Sequence, residues 1–227
     1  MLELVLATGN PHKVEELRAI FATIPEARNV RVIGLKDVPE AGPFTEPTET
    51  GATFDENAAI KAVSYAAQTG RLCLADDSGL EIDALKGRPG VISSHYCTDG
   101  TETGMSRPQR DAANNARVLR ELEAVPPEER TARFVCVMAL AEPPAHRAGP
   151  NPVLVASRGT FEGRIGIPPA VPRGSHGFGY DPLFLVAPDF IRTSAELPPQ
   201  DKNALSHRGA AARAMIAKLH LMGLIPA

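Results

Sequence analysis

Two carboxylates stand side by side at the end of an apolar run, and that arrangement constrains the chain more than any other stretch. Leu72-Cys73-Leu74-Ala75 reads as a buried strand, and Asp76-Asp77-Ser78-Gly79 follows at once. Adjacent Asp residues repel each other and disfavour a strand interior. The pattern predicts a turn after the two acids, beyond which Leu80-Glu81-Ile82-Asp83 resumes the alternation. Something must compensate the charge. A divalent cation or a ring of Lys residues does so, and hard oxygen ligands favour Mg²⁺, which takes one or two carboxylates plus phosphate oxygens. The competing reading is an Asp/Ser turn with both carboxylates solvated.

A chain of 227 residues suffices for one large domain or two closely joined lobes, and no composition shift marks a linker. The net charge of -3 gives no electrostatic case for a nucleic acid or an anionic membrane as partner, so an anionic substrate needs a local cluster of Lys and Arg. Three cysteines, Cys73, Cys97 and Cys136, make neither a disulfide framework nor a zinc site. Cys73 and Cys136 read as small core residues, and a reducing, cytoplasmic setting follows. Met1-Leu2-Glu3-Leu4 lacks the basic region of a signal peptide, and no apolar run reaches membrane-spanning length.

Leu2 to Ala7 reads as a buried strand running into Thr8-Gly9-Asn10-Pro11-His12-Lys13. A helix follows, with Val14, Leu17, Ile20 and Phe21 on one face. Strand, glycine turn and helix start together form an anion site, although this is not a Walker A loop. Val30 to Leu35 reads as a second strand. Pro39 to Pro47 is a loop, and Thr53 with Glu56 forms a capping box for a helix through Phe54, Ala58, Lys61, Ala62 and Tyr65. Lys61 falls on the apolar side of that helix. It either snorkels to solvent or meets an anion. His95 is either a site or a surface residue. Cys97 to Pro108 reads as a loop or flap, and Arg110 to Leu122 as a helix burying Ala113, Ala116, Leu119 and Leu122. Thr131 to Ala141 and Val153 to Thr160 read as long strands. Leu183 to Val186 is a strand after a glycine-dense loop. Ala211, Met215, Leu219 and Met222 face inward on a last helix capped by Ser206 or Asn203.

Taken in order, these stretches resemble the inosine triphosphate pyrophosphatase family, which removes non-canonical purine nucleoside triphosphates. The matching residues are Thr8 to Lys13, Glu49-Thr50-Gly51 with Phe54, Glu56-Asn57-Ala58 and Lys61-Ala62, and Ala75 to Leu80. Gly90, Gly177-Phe178-Gly179-Tyr180-Asp181-Pro182 and Ser206-His207-Arg208-Gly209 complete the set. The match spans nearly the whole chain. Two stretches, Asp99 to Arg107 and Ala145 to Pro152, look longer or less regular than the family pattern.

The resemblance implies a single domain over 1–227 with an elongated, two-lobed α/β fold. A long twisted mixed sheet is flanked by helices, with the active cleft between the lobes. It also implies a homodimer, a Mg²⁺ cofactor and hydrolysis of dITP, ITP or XTP to the monophosphate and pyrophosphate. By the same resemblance Asp77 binds the metal and accepts the proton of the attacking water, Glu49 is the second carboxylate, and the share of Asp76 stays open. Lys13 and Lys61 clamp phosphates, helped by the turn of Thr8, Gly9, Asn10, Pro11 and His12, whose non-proline residues supply backbone donors, and by Ser78. Phe178 is the stacking candidate, against the competing reading of an ordinary core residue. Gly179, Tyr180, Asp181 and Lys202 are further substrate contacts, and His207 and Arg208 with backbone donors read a 6-oxo purine. One rival is a pyrophosphatase for modified pyrimidines or canonical triphosphates. Another is a nucleotide-binding regulator without turnover, which would not need the full water-activating set.

Overall fold

The computed structural model describes residues 1–39, 42–146, 149–150 and 152–226, with the side chain of His12 outside that description. The predicted loop at Pro39–Pro47 therefore lies partly outside the described residues, as does the stretch from Ala145 to Pro152. Six strands form one mixed sheet in the order β2-β1-β3-β4-β5-β6. They are β1 (Leu2–Leu6), β2 (Val30–Gly34), β3 (Cys73–Ile82), β4 (Thr131–Ala141), β5 (Val153–Ile165) and β6 (Phe184–Val186). The α-helices are α1 (Pro11–Ala22), α2 (Phe54–Thr69), α3 (Arg107–Glu121), α4 (Pro199–Leu205) and α5 (His207–Leu221). β1 runs parallel to β2 and β3, and β5 antiparallel to β6. The α/β expectation is met, and the strand positions match within a few residues.

The described residues fall into two compact units. The first comprises Met1–Asp77, Cys136–Gly159 and His207–Ala227; the second comprises Ser78–Val135 and Thr160–Ser206. In the first unit, Leu4, Leu6 and Leu74 pack with Leu17 and Ile20 of α1 and Met215 and Leu219 of α5. In the second, Leu80, Ile82, Val118, Phe134, Phe161 and Phe184 form a separate core. Each core follows from strand alternation meeting one apolar helix stripe.

Three expectations need correction. The sequence predicted a turn directly after the Asp pair, yet β3 continues through Asp76, Asp77, Ser78 and Gly79 as one strand. Side chains alternate along a strand, so the two carboxylates project to opposite faces and each finds its own cations. The inward face of α3 is shifted. Ala116 is exposed, whereas Asn114, Val118 and Leu122 are buried. Asn114 can sit there because its amide accepts from the Cys97 N–H at 2.7 Å and donates to the Ser93 and Ser94 carbonyls. Finally, the last helix is divided at Ser206, which leaves Asn203 inside α4, and Met222 lies beyond α5, half exposed.

Candidate functional site

In the first unit, α1, α2, α5, β3 and the loop ahead of α2 bring six charged side chains singled out in the sequence into two adjoining clusters. On one side, Lys13 donates to both carboxylate oxygens of Asp76 at 3.1 and 3.2 Å. Arg208 also donates to Asp76, at 3.3 Å, and grips both oxygens of Glu16 at 2.9 Å. Burial opposes ionisation of Asp76, but Lys13, Arg208 and Lys61 outweigh it and hold the carboxyl far below its usual range. Arg208 is 2 % exposed, and the carboxylates around it raise its pKa despite desolvation. Glu16 was not singled out in the sequence. It reads there as one of several solvent-facing acids on α1, and only its distant partner at 208 gives it meaning.

On the other side, Lys61 donates to Asp77 at 2.8 Å and to Glu49 at 3.1 Å. Lys61 is 8 % exposed, so it meets an anion rather than snorkelling to water. Desolvation would lower its pKa, but Asp77, Asp76 and Glu49 raise it above the ordinary value. The capping box reads as expected, with Glu56 accepting from the Thr53 N–H and Thr53 Oγ1 from the Glu56 N–H. Glu49 lies just ahead of Gly51, where the chain comes close to α2. A Cβ on Gly51 would lie 2.6 Å from Asn57 Oδ1 and Glu56 Cβ, so only glycine lets the chain pass this close to α2.

Asp77 differs from its neighbour. Its Oδ2 is buried and has no hydrogen-bond partner among the described residues. Burial, aided by Glu49, pushes the carboxyl upward against the pull of Lys61. A buried unpaired anionic oxygen is costly, and a hard cation is the partner its chemistry suits best. Among the described residues no group of three or more His, Cys, Asp and Glu side chains is gathered in a metal-holding arrangement. A pair of carboxylates with one open oxygen still fits Mg²⁺, which keeps several waters and draws ligands from substrate phosphates.

In the turn ahead of α1, two of the expected backbone donors are engaged internally, and the first is the Thr8 N–H, which donates to the Leu6 carbonyl at 2.9 Å. The Asn10 N–H donates to Thr8 Oγ1 at 3.2 Å, and Gly9 is exposed. A cavity of about 160 Å³ opens beside it, with Thr8, Gly9, Pro11, Lys36 and the acids Glu15 and Asp37 in its lining. The His12 side chain lies outside the described residues. Ser78 is half-buried on β3, and His207 is 8 % exposed at the start of α5.

The second unit holds the glycine-dense loop. Phe178 is 40 % exposed, which overturns the core reading, and the Arg107 guanidinium lies 4.4 Å from its ring centroid. Asp181 is buried beneath it and accepts from the Phe178 N–H and Ser194 Oγ at 2.8 Å and from Lys202 Nζ. Asp181 and Lys202 thus pair with each other and shape the loop. Tyr180 is a core residue, 5 % exposed, with its hydroxyl donating to the Ser93 carbonyl at 2.7 Å. The expected backbone donors are engaged as well, since the Gly179 N–H donates to Asp111 at 3.1 Å.

Gly177 shows how tightly the loop is drawn over Asp181. Its φ is +78°, and a Cβ there would lie 2.1 Å from Asp181 Oδ2 and 2.6 Å from Lys202 Nζ. Gly177→Ala should therefore cost about 1–3 kcal/mol through strain and the broken pair. Gly179→Ala, at φ +62° but with nothing within 4 Å, should cost less. Thermal melts of the two variants check this ranking.

Comparison with known proteins agrees with these motifs. The model of the Ham1 family matches residues 4–218. The dITP/XTP pyrophosphatase of Nitratidesulfovibrio vulgaris is 46% identical over 213 residues, covering 94% of this chain and 93% of that protein. The dITP/XTP pyrophosphatase of Geobacter sulfurreducens is 45% identical over 212 residues, with 93% of each covered. The solved structure of a HAM1 protein from Coxiella burnetii superposes with a TM-score of 0.76 at 41% identity, covering 96% of this chain and 98% of that one.

Proposed function

The chain belongs to the Ham1 family, and from that membership we propose that it cleaves non-canonical purine nucleoside triphosphates. It is a pyrophosphatase, a hydrolase of acid anhydrides, acting on dITP, ITP or XTP to release the monophosphate and pyrophosphate. The observation that carries the residue assignment is the open Oδ2 of Asp77 beside the Lys61–Glu49 pair.

Asp77 and Glu49 would hold Mg²⁺, with Asp77 also taking the proton of the attacking water. When bound, the cation supplies charge neutralisation at the phosphoryl oxygens and lowers the pKa of a bound water. Asp76 carries no such duty in this reading, because Lys13 and Arg208 already occupy its oxygens. Lys61 keeps Asp77 and Glu49 in place and offers charge to the substrate. The turn from Thr8 to Lys13, together with Ser78, is assigned to the phosphates. Phe178 is assigned to stacking on the purine, a contact that tolerates any base. His207 is retained as a substrate contact, whereas Tyr180, Asp181 and Arg208 act by support.

The preference for a 6-oxo purine rests on hydrogen bonding. A donor that meets the oxo group is stranded by the amino group of adenine, at a cost of about 1–3 kcal/mol. Guanine shares the oxo group, so GTP should be rejected less than ATP. The test is pyrophosphate release from ITP, dITP, XTP, GTP and ATP, with Mg²⁺ and with a chelator. Release from ITP and XTP that needs Mg²⁺, and weak release from ATP, is the expected result. Equal use of ATP and ITP, or full activity in chelator, would overturn the reading. Lys13→Ala should raise KM for every triphosphate by about tenfold, the loss of one charge-assisted contact, and leave the ITP-to-GTP ratio unchanged. A homodimer in the cytoplasm completes the proposal. Among the described residues no helix is long and apolar enough to cross a membrane.

A further inference from the structure

Three residues at four-residue spacing on α3, Arg107, Asp111 and Asn115, form one stripe along the helix. All three meet the same two residues of the glycine-dense loop. Asp111 accepts from the Gly179 N–H at 3.1 Å, and the Asn115 side-chain amide donates to the Gly179 carbonyl at 3.1 Å. Arg107 covers the Phe178 ring. We propose that Asp111 and Asn115 are positioning residues for the purine, which clamp Gly179 through its N–H and its carbonyl, on the two peptides that flank it, and so fix the Phe178 ring as a stacking platform. The proposal rests on the assignment of Phe178 to the base.

The loop needs such a clamp. Phe178 lies between two glycines with positive φ and is itself half exposed, so its own packing does little to hold it. The peptide before it is held by Asp181, which takes the Phe178 N–H. The peptide after Gly179 leads into buried Tyr180. Among the described residues, the α3 pair holds both polar groups of Gly179 itself. The stripe is also poorly explained by stability. Asn115 Oδ1 is buried and lacks a hydrogen-bond partner among the described residues, a cost that an apolar residue facing the loop would avoid. Its amide donor at Gly179 is what the position retains.

The clamp should act on the base and not on the phosphates. Asp111→Ala and Asn115→Ala should each raise KM for ITP by about tenfold with kcat within about twofold, as expected when a preorganised contact loosens. Asp111→Asn keeps an acceptor for the Gly179 N–H and should restore most of the affinity. Inhibition by inorganic tripolyphosphate, which has no base, should be unchanged in all three. A parallel measurement examines the platform alone. The chain has no tryptophan, so Phe178→Trp provides a sole indole whose fluorescence IMP should quench on stacking. If IMP leaves that indole unquenched, the assignment of Phe178 fails and the clamp fails with it. If the indole is quenched but both alanine variants keep the wild-type KM, only the clamp is refuted. A fall in kcat at constant KM, or an equal loss of tripolyphosphate inhibition, also refutes it. Thermal melts accompany each variant. Should Asp111→Ala not fold, Asn115→Ala, which removes one neutral bond, carries the test.

Discussion

Asp77→Asn should fold normally and lose pyrophosphate release from ITP by about 10³-fold or more, the scale of removing a general base. The substitution is nearly isosteric, so packing around β3 is preserved. What changes is charge. Asp77 is raised above the ordinary carboxylate range by burial, which means that the folded protein holds its ionised form at a cost. The neutral amide removes that cost, while Lys61 keeps Glu49 as partner at 3.1 Å. The melting temperature should therefore stay near that of the wild type or rise. Loss of activity with retained stability is the signature of a residue kept for chemistry rather than for folding. Asp76→Asn supplies the contrast. Its carboxylate is satisfied by Lys13 and Arg208, so its loss should appear first in the melt. Near-normal release by a folded Asp77→Asn protein, measured at saturating Mg²⁺, would sink the assignment of Asp77.

The two Asp residues also show how far the sequence could be read. Their adjacency at the end of an apolar run pointed to a charge-compensated site, and the run itself to a central strand. Local pattern could not tell a turn from a continuing strand, because Asp-Ser-Gly is ordinary turn chemistry. The decision came from cations 63 and 132 residues away, at Lys13 and Arg208. Helix faces were legible where the buried residues are apolar, as on α1 and α2. They were misplaced on α3, whose inward side carries Asp111, Asn114 and Asn115. Hydrophobic periodicity is blind to a face that is buried through hydrogen bonds. The same blindness hid Glu16, whose two carboxylate oxygens share one guanidinium nitrogen of Arg208 from nearly the length of the chain away. Phe178 was visible only as an aromatic residue between glycines, and its exposure had to come from the fold.

Arg208 is where sequence and structure part most sharply, and it gives the second large expected effect. The resemblance cast Arg208 as a reader of the base, so that Arg208→Ala would lower activity on ITP and narrow the ratio of ITP to ATP use. The structure surrounds its guanidinium with Glu16 and Asp76 at 2 % exposure. Removing the cation leaves two carboxylates with less compensation, Asp76 being fully sequestered. Breaking a buried pair from one side costs about 3–5 kcal/mol, and the loss here falls toward the lower end of that range because Asp76 keeps Lys13 at both oxygens. For a chain of this size the melting temperature should fall on the order of 10 °C. The pH dependence has a definite sign. Asp76 is depressed below its unfolded value, so its contribution is present at neutral pH and is lost only as the pH falls into strong acid. Near neutrality the destabilisation by Arg208→Ala should therefore be nearly flat with pH. Glu16→Gln should cost less, since it removes an anion from the network and leaves Arg208 with Asp76. In the double variant Glu16→Gln with Arg208→Ala, the two losses should sum to less than their separate values, as for residues in direct contact. Calorimetry of the three proteins decides the matter. An Arg208→Ala protein that melts with the wild type, and differs only in its choice between ITP and ATP, would return Arg208 to the base and contradict the supporting role.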